Sequence, residues 1–446
     1  MIREKAFYQQ FFKIAVVLIM QNVVTLSVNL MDNIMLGGFS EAALAGAASV
    51  NQIQFVYQQV LFSFGDALVI FGSQYWGKKQ TEEIKRYAGI AMSFAICIMI
   101  FIFLVASLFP TQLVMIFTSD IDIITEGVAY LSIIRFSYIF FGITVLLLAM
   151  LRSIEVVKIA FYLSLSTLLI NCSINWVLIY GRFGFPCMGI SGAAIGTLVA
   201  RIVELIILII YIMHKERVLH ITVRDFIKVD WSISKKYLIV AAPILLGGVM
   251  WGVNTAAQTA ILGHLSSNAI AANSAASNLF LLVKTAAVGA ASTTAIMIGK
   301  AIGAGEIHRL KAYAKTFQLM FLMIGIMGAV VLFFLIEPVL SLYTLSEESL
   351  ELARSFLYIL CFTNFFMAYQ MPTNIGIIRG SGNTKYFMWL DLISIYGIVL
   401  PLSFYMAFVV KASPIIVVIC LNSDQVFKCI PAFIKTNFMS WGLKRL

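Results

Sequence analysis

The sequence predicts an all-α polytopic membrane protein: twelve transmembrane helices in two six-helix lobes related by a pseudo-two-fold along the membrane normal. Three observations lead there. Apolar side chains make up 61% of the 446 residues and charged ones only 12%, a balance that soluble domains do not carry. Apolar runs of about 20 residues, the length that crosses a bilayer as a helix, recur along the whole chain. The chain also repeats itself at an offset close to half its length.

The spans fall at roughly 11–34, 49–74, 88–109, 126–150, 160–180, 190–213, 236–262, 275–299, 316–337, 351–377, 386–409 and 413–434. The first is too long and too polar for a cleavable signal, since it carries Gln21, Asn22, Asn29 and Asp32 and lacks a small-residue cleavage motif. The net charge of +10 sits in the short segments between spans rather than in one basic face, which is positive-inside topology and not a nucleic-acid footprint. Arg3, Lys5, the 77–86 loop, the 214–236 connection, the 300–315 loop, Arg379, Lys385, Lys444 and Arg445 mark one side. The opposite loops hold little besides Arg182 and Lys411, so both termini are expected in the cytoplasm and the protein in the plasma membrane. Six scattered cysteines show no CxxC or disulfide framework, and four histidines show no metal-ligand spacing; neither thiol nor metal chemistry is expected.

A shift of 226 positions lays Leu36-Gly37 on Leu262-Gly263, and Ser40, Ala43 and Ala45 on Ser266, Ala269 and Ala271. Gly77 meets Gly303, and Lys85, Tyr87 and Ala88 meet Lys311, Tyr313 and Ala314 without a gap. Near one more residue of shift, Leu151-Arg152-Ser153 lies on Ile378-Arg379-Gly380. A constant offset with matching loop charges marks a duplicated unit. Six spans per unit return the chain to its starting side, so the two lobes, 1–213 and 236–446, enter in the same orientation with a cavity near the midplane. The 214–235 connection is charged and amphipathic enough for an interfacial helix on the cytoplasmic surface.

The most informative stretch is Asn22 to Asn33. Asn22, Thr25, Asn29 and Asp32 follow at steps of three, four and three, which places them on one helical face. A carboxylate at membrane depth costs about 2.5–3.5 kcal/mol on insertion scales, so this face belongs against other helices or a water-filled cavity. An ion- or proton-binding site is the sharper reading, and a plain interhelical contact or a snorkelling charge is the alternative. Asn171 and Asn175, four apart, share a face of the fifth span, and Gly192 and Gly196 form a small-xxx-small pair in the sixth, just before Thr197. One carboxylate, two amide oxygens, a hydroxyl and a backbone carbonyl suit a hard monovalent cation, and equally a protonatable carboxylate in a polar nest.

Several of these segments resemble the multidrug and toxic compound extrusion (MATE) transporters. They are Val28 to Gly37 (VNLMDNIMLG), Ala42 to Ala45, Leu151-Arg152, Asn171 to Gly181 (NCSINWVLIYG), Pro186 to Thr197 (PCMGISGAAIGT), Ala200-Arg201 and Arg379 to Thr384 (RGSGNT). The resemblance covers essentially the whole chain. It implies an antiporter that exports a substrate while taking up protons or sodium, with a cation site at Asp32, Asn171, Asn175, Ala193 (through its carbonyl) and Thr197 and no catalytic residues or cofactor. Three departures stand out. The acidic residues that one branch carries in spans seven and ten are replaced by Asn254, Gln258, Tyr369, Thr373 and Asn374. The repeat places Gln258 where Asp32 stands. Pro243 of span seven has Val17 as its partner in span one, so the proline that family members often have there is missing.

The expected partners are a small-molecule substrate and the bilayer, with no nucleic acid and a monomeric state. Asn29, Met31, Met35, Trp251, Asn254, Gln258, Lys284 and Tyr369 are candidate cavity residues, since Met and aromatic side chains adapt to varied organic compounds. Arg201 with Glu204 and Asp424 with Lys428 have the spacing of structural pairs, Asp391 is placed at the interface, and Asp66 and Lys284 stand within apolar runs. A flippase for lipid-linked precursors or polysaccharides of the same fold superfamily is the nearest alternative. A polytopic membrane enzyme would require clustered His, Asp or Glu near one membrane face.

Overall fold

The computed structural model describes residues 2–439 apart from 217, 223–224, 227–228 and 342–345. Lys444 and Arg445 lie outside the described residues, and the interfacial helix predicted over 214–235 lies partly outside them.

Each of the twelve predicted spans finds a helix. Eleven are single helices: Lys5–Gly37, Glu41–Gly77, Thr81–Leu108, Lys158–Tyr180, Gly189–His214, Trp231–Leu265, Ala271–Gly303, Ile307–Leu340, Glu347–Arg379, Thr384–Val409 and Pro414–Asn437. The fourth span is broken, with Ile121–Ile134 and Ser137–Ser153 meeting at 54°. No proline or glycine stands at this break; the Ser137 hydroxyl takes the Ile134 carbonyl there at 2.7 Å.

The helices extend past the apolar runs, and some of their starts carry a side-chain cap. Ser40 caps the second helix by accepting from the Ala43 N–H, and Ser266 accepts from the Ala269 N–H in the same way. These caps are partners under the 226-residue repeat, so the duplication is visible in local geometry. At Pro372, which lacks a backbone donor, the helical ladder loosens. The tenth helix passes into π-helical turns over Thr373–Arg379 immediately after Pro372.

The chain forms two compact units, Met20–Ala241 and Met1–Ile19 with Ala242–Leu446. These bounds differ from the expected lobes 1–213 and 236–446 by the starts of the first and seventh helices, and aromatic packing is the reason. In the second of these units, Phe7, Phe11 and Ala15 are buried with Ala290, Ile298, Phe317, Phe321 and Ile377. The Phe7 ring stacks on Tyr313 at 5.0 Å, and the Ile2 N–H donates to Thr316 Oγ1 at 2.9 Å. In the Met20–Ala241 unit, the fully buried Tyr237 stacks on Phe64 and Phe94 and donates its hydroxyl to the Phe64 carbonyl at 2.6 Å. Arg86 joins Asp230 to the third helix.

Candidate functional site

In the Met20–Ala241 unit, the fifth and sixth helices pack with almost no side chain between them at Gly192. A Cβ there would meet the backbone of Leu178 at 2.8 Å and of Ile179 at 2.9 Å. One turn on, a Cβ at Gly196 would lie 2.0 Å from Asn175 Oδ1. The glycine pair therefore does two things: it lets the helices close, and at Gly196 it makes the seat for an asparagine side chain.

Asn175, fully buried, works from that seat. Its Nδ2 donates to Asp32 Oδ1 at 2.7 Å and to Asn171 Oδ1 at 3.2 Å. Asn171 Nδ2 in turn donates to Thr197 Oγ1 at 3.0 Å. Asp32, Asn171, Asn175 and Thr197, drawn from three helices, thus form one connected group. A second bond holds the first helix at this place, the Tyr180 hydroxyl donating to the Met35 carbonyl at 2.9 Å.

The Asn175 carbonyl oxygen has no hydrogen-bond partner among the described residues and is buried. Leaving such an acceptor unsatisfied costs about 1–3 kcal/mol. Ala193 is buried between the two glycines, but the bonds that tie the group together run through the side chains of Asn171, Asn175 and Thr197.

Two neighbours of this group were not singled out for it in the sequence. Tyr130 of the broken fourth span lies beside Thr197, and the charge of Arg201 acts on Asp32. Arg201 does pair with Glu204, at 2.7 Å, as its spacing predicts, and it also lies over the Phe141 ring. Asp66 acts electrostatically on Arg152, which gives that intramembrane carboxylate a basic neighbour.

The remaining polar positions of the first helix do not join the group. Thr25 returns its hydroxyl to the Gln21 carbonyl of its own helix, and Asn29 is exposed. Met31 and Met35 are half-buried in the same unit.

The other candidate cavity residues belong to the other unit. Trp251 and Lys284 come together, the ammonium 5.2 Å from the indole centroid. Gln258 Nε2 donates to Asn254 Oδ1 within one helix at 3.4 Å. Tyr369 is turned inward: it is buried and its hydroxyl donates to Gln318 Oε1 at 2.9 Å.

That unit also holds a buried polar chain. Asn374 donates to Gln370 at 3.0 Å, Gln370 to Gln425 at 2.8 Å, and Gln425 to both Asp424 oxygens at 2.8 and 2.9 Å. The buried Lys428 reaches Asp424 at 3.0 Å, as their spacing predicts, and Asp391 at 2.7 Å. Asp391 is therefore not merely an interfacial residue. It is held by an ammonium 37 positions away in the chain, a pairing that helical spacing cannot reveal.

Comparison with known proteins agrees with this architecture. The MatE family model matches twice, at residues 18–177 and 243–405, a displacement close to that of the internal repeat. The chain is 24% identical over 375 residues to the probable multidrug resistance protein YoeA of Bacillus subtilis, covering 83% of this chain and 80% of that protein. It is 23% identical over 398 residues to the probable multidrug resistance protein NorM of Thermotoga maritima, covering 89% and 85%. Among solved structures, a Vibrio cholerae MATE transporter in the bent form superposes with a TM-score of 0.83 at 18% identity, covering 96% of this chain and 95% of that one. A eukaryotic MATE transporter superposes with the same TM-score at 17% identity, covering 97% and 96%. A polytopic all-helical chain in which the family model is found once in each half, over most of its length, is a member of the MatE family, the MATE transporters.

Proposed function

We propose that the protein is a cation-coupled multidrug antiporter of the plasma membrane that exports amphipathic organic compounds by alternating access of two six-helix lobes. Both termini are cytoplasmic in this reading and the working unit is a monomer. The curated relatives named for multidrug resistance support the export of organic compounds. The observation that carries the coupling is the Asp32–Asn175–Asn171–Thr197 group with its unpartnered amide oxygen. Asp32 is the coupling carboxylate. Loaded with a proton or a sodium ion, it changes the balance of bonds that tie the first helix to the fifth, and that change is linked to substrate release.

The test is Asp32→Asn in proteoliposomes, with proton and sodium gradients imposed separately. The substituted amide keeps an oxygen for the Asn175 donor, so the helix contact survives while the charge is lost. Uphill dye export is expected to vanish in the variant under either gradient, and the gradient that drives the wild type names the coupling ion. Uphill export by Asp32→Asn would remove Asp32 from the mechanism.

A further inference from the structure

Arg135 stands between the two halves of the broken fourth span, Ile121–Ile134 and Ser137–Ser153. Its guanidinium lies over two rings, 5.2 Å from the Phe136 centroid and 6.0 Å from that of Phe103 in the third helix. Phe103 comes shortly before the end of that helix at Leu108, about 7.5 Å along its axis. The other end of the helix meets the Lys- and Arg-rich 77–86 loop, so the guanidinium sits in the leaflet on the side of the 109–120 connection.

A charge within a membrane span calls for a compensating partner, and among the described residues none supplies it. Arg135 makes no ion pair and no side-chain hydrogen bond with any of them. Its Nε is buried without an acceptor, while its two terminal nitrogens, equally unpartnered, are not buried. The two rings attract a cation but provide no countercharge. The surface beside the guanidinium is apolar and open. Phe136 is exposed, and so are Ile100 and Leu104, which share a helical face with Phe103. On a membrane span such a face meets acyl chains.

We infer that Arg135 holds the phosphodiester of an anionic phospholipid of that leaflet, with the lipid's acyl chains against Ile100, Leu104 and Phe136. The guanidinium fork matches two phosphate oxygens, and snorkelling carries it toward the headgroups. A zwitterionic lipid also presents a phosphate, but its own cation cancels the countercharge. The lipid is bound at the break of the span, whose first half carries Tyr130 beside Thr197. The site lies outside the coupling group and does not depend on the export reading above.

The test is lipid binding to the purified full-length protein in mild detergent, followed by native mass spectrometry with phosphatidylglycerol and phosphatidylcholine of the same acyl chains. The wild type is expected to bind its first phosphatidylglycerol about tenfold more tightly than its first phosphatidylcholine, which corresponds to about 1.4 kcal/mol. Arg135→Gln is expected to bring the two affinities together while still binding phosphatidylcholine, which also shows that the variant is folded. Arg135→Lys keeps the charge without the fork and should retain part of the preference. Inorganic phosphate at millimolar concentration is expected to leave the bound phosphatidylglycerol in place, because it has no acyl chains to meet the apolar face. Equal affinities in the wild type would overturn the site. So would an undiminished preference in Arg135→Gln, which would place the attraction in the basic loops, or displacement by phosphate, which would make it a small-anion site. If Arg135→Gln does not fold, the wild-type comparison and Arg135→Lys decide, and a full preference in Arg135→Lys would remove the guanidinium fork from the recognition.

Discussion

Gly196→Ala is the sharpest perturbation of the coupling group that leaves its polar residues in place. The added Cβ would stand 2.0 Å from Asn175 Oδ1 and 3.1 Å from its Cγ, whereas real Cβ contacts essentially never fall under 3.0 Å. The Asn175 amide must therefore retreat by about 1 Å. A retreat of that size carries its Nδ2 out of hydrogen-bond range of Asn171, now at 3.2 Å, and strains the 2.7 Å bond to Asp32. Losing a hydrogen bond to a charged group costs about 1.5–3 kcal/mol, and overpacking adds about 1–3 kcal/mol. A misplacement of about 1 Å in a working site can lower its rate by roughly a hundredfold. Gradient-driven export in proteoliposomes is expected to fall by one to two orders of magnitude, with the protein still inserted. The control is the same substitution in an Asn175→Ala background. There the two closest approaches, to Asn175 Oδ1 and Cγ, are gone and the Asn175 backbone nitrogen at 3.4 Å is an ordinary contact, so Gly196→Ala should have little further effect. Wild-type export by Gly196→Ala, or an equal loss in both backgrounds, would refute this reading of the glycine.

Two further outcomes follow from the packing of the other unit. Lys428→Met leaves the buried Asp424 and the half-buried Asp391 without their shared ammonium and should cost about 3–5 kcal/mol, seen as a marked fall in thermal stability in detergent. Asp391→Asn should cost less, because Lys428 keeps Asp424; equal losses would show that the two carboxylates are not held as one group. At Gly247, inside the seventh helix, a Cβ meets nothing within 4 Å, so Gly247→Ala should be neutral or stabilise by up to about 1 kcal/mol, and a lower melting temperature would contradict the open space there.

Much of the fold was legible because hydropathy is a property of one segment against its solvent. Each predicted span has a helix, and the repeat that aligned Ser40 with Ser266 reappears as a pair of equivalent caps. The Asp32, Asn171, Asn175 and Thr197 set was legible as well, through helical spacing and family resemblance, and the structure joins all four. The bend after Ile134 was not legible, since no proline or glycine marks it.

What the sequence determined by itself was the membrane class, the count and order of spans, the duplication, and the oxygen-rich positions in one half. Each is a local or periodic property, readable without knowing which segments touch. Only the tertiary structure decided partnership. It made Gly196 the seat of an asparagine as well as a packing glycine, brought Asp391 to Lys428, turned Tyr369 inward to Gln318, and assigned the first 19 residues to the unit that contains 242–446. A contact depends on two surfaces meeting, and a burial cost or an unpaired charge belongs to that meeting rather than to either segment alone.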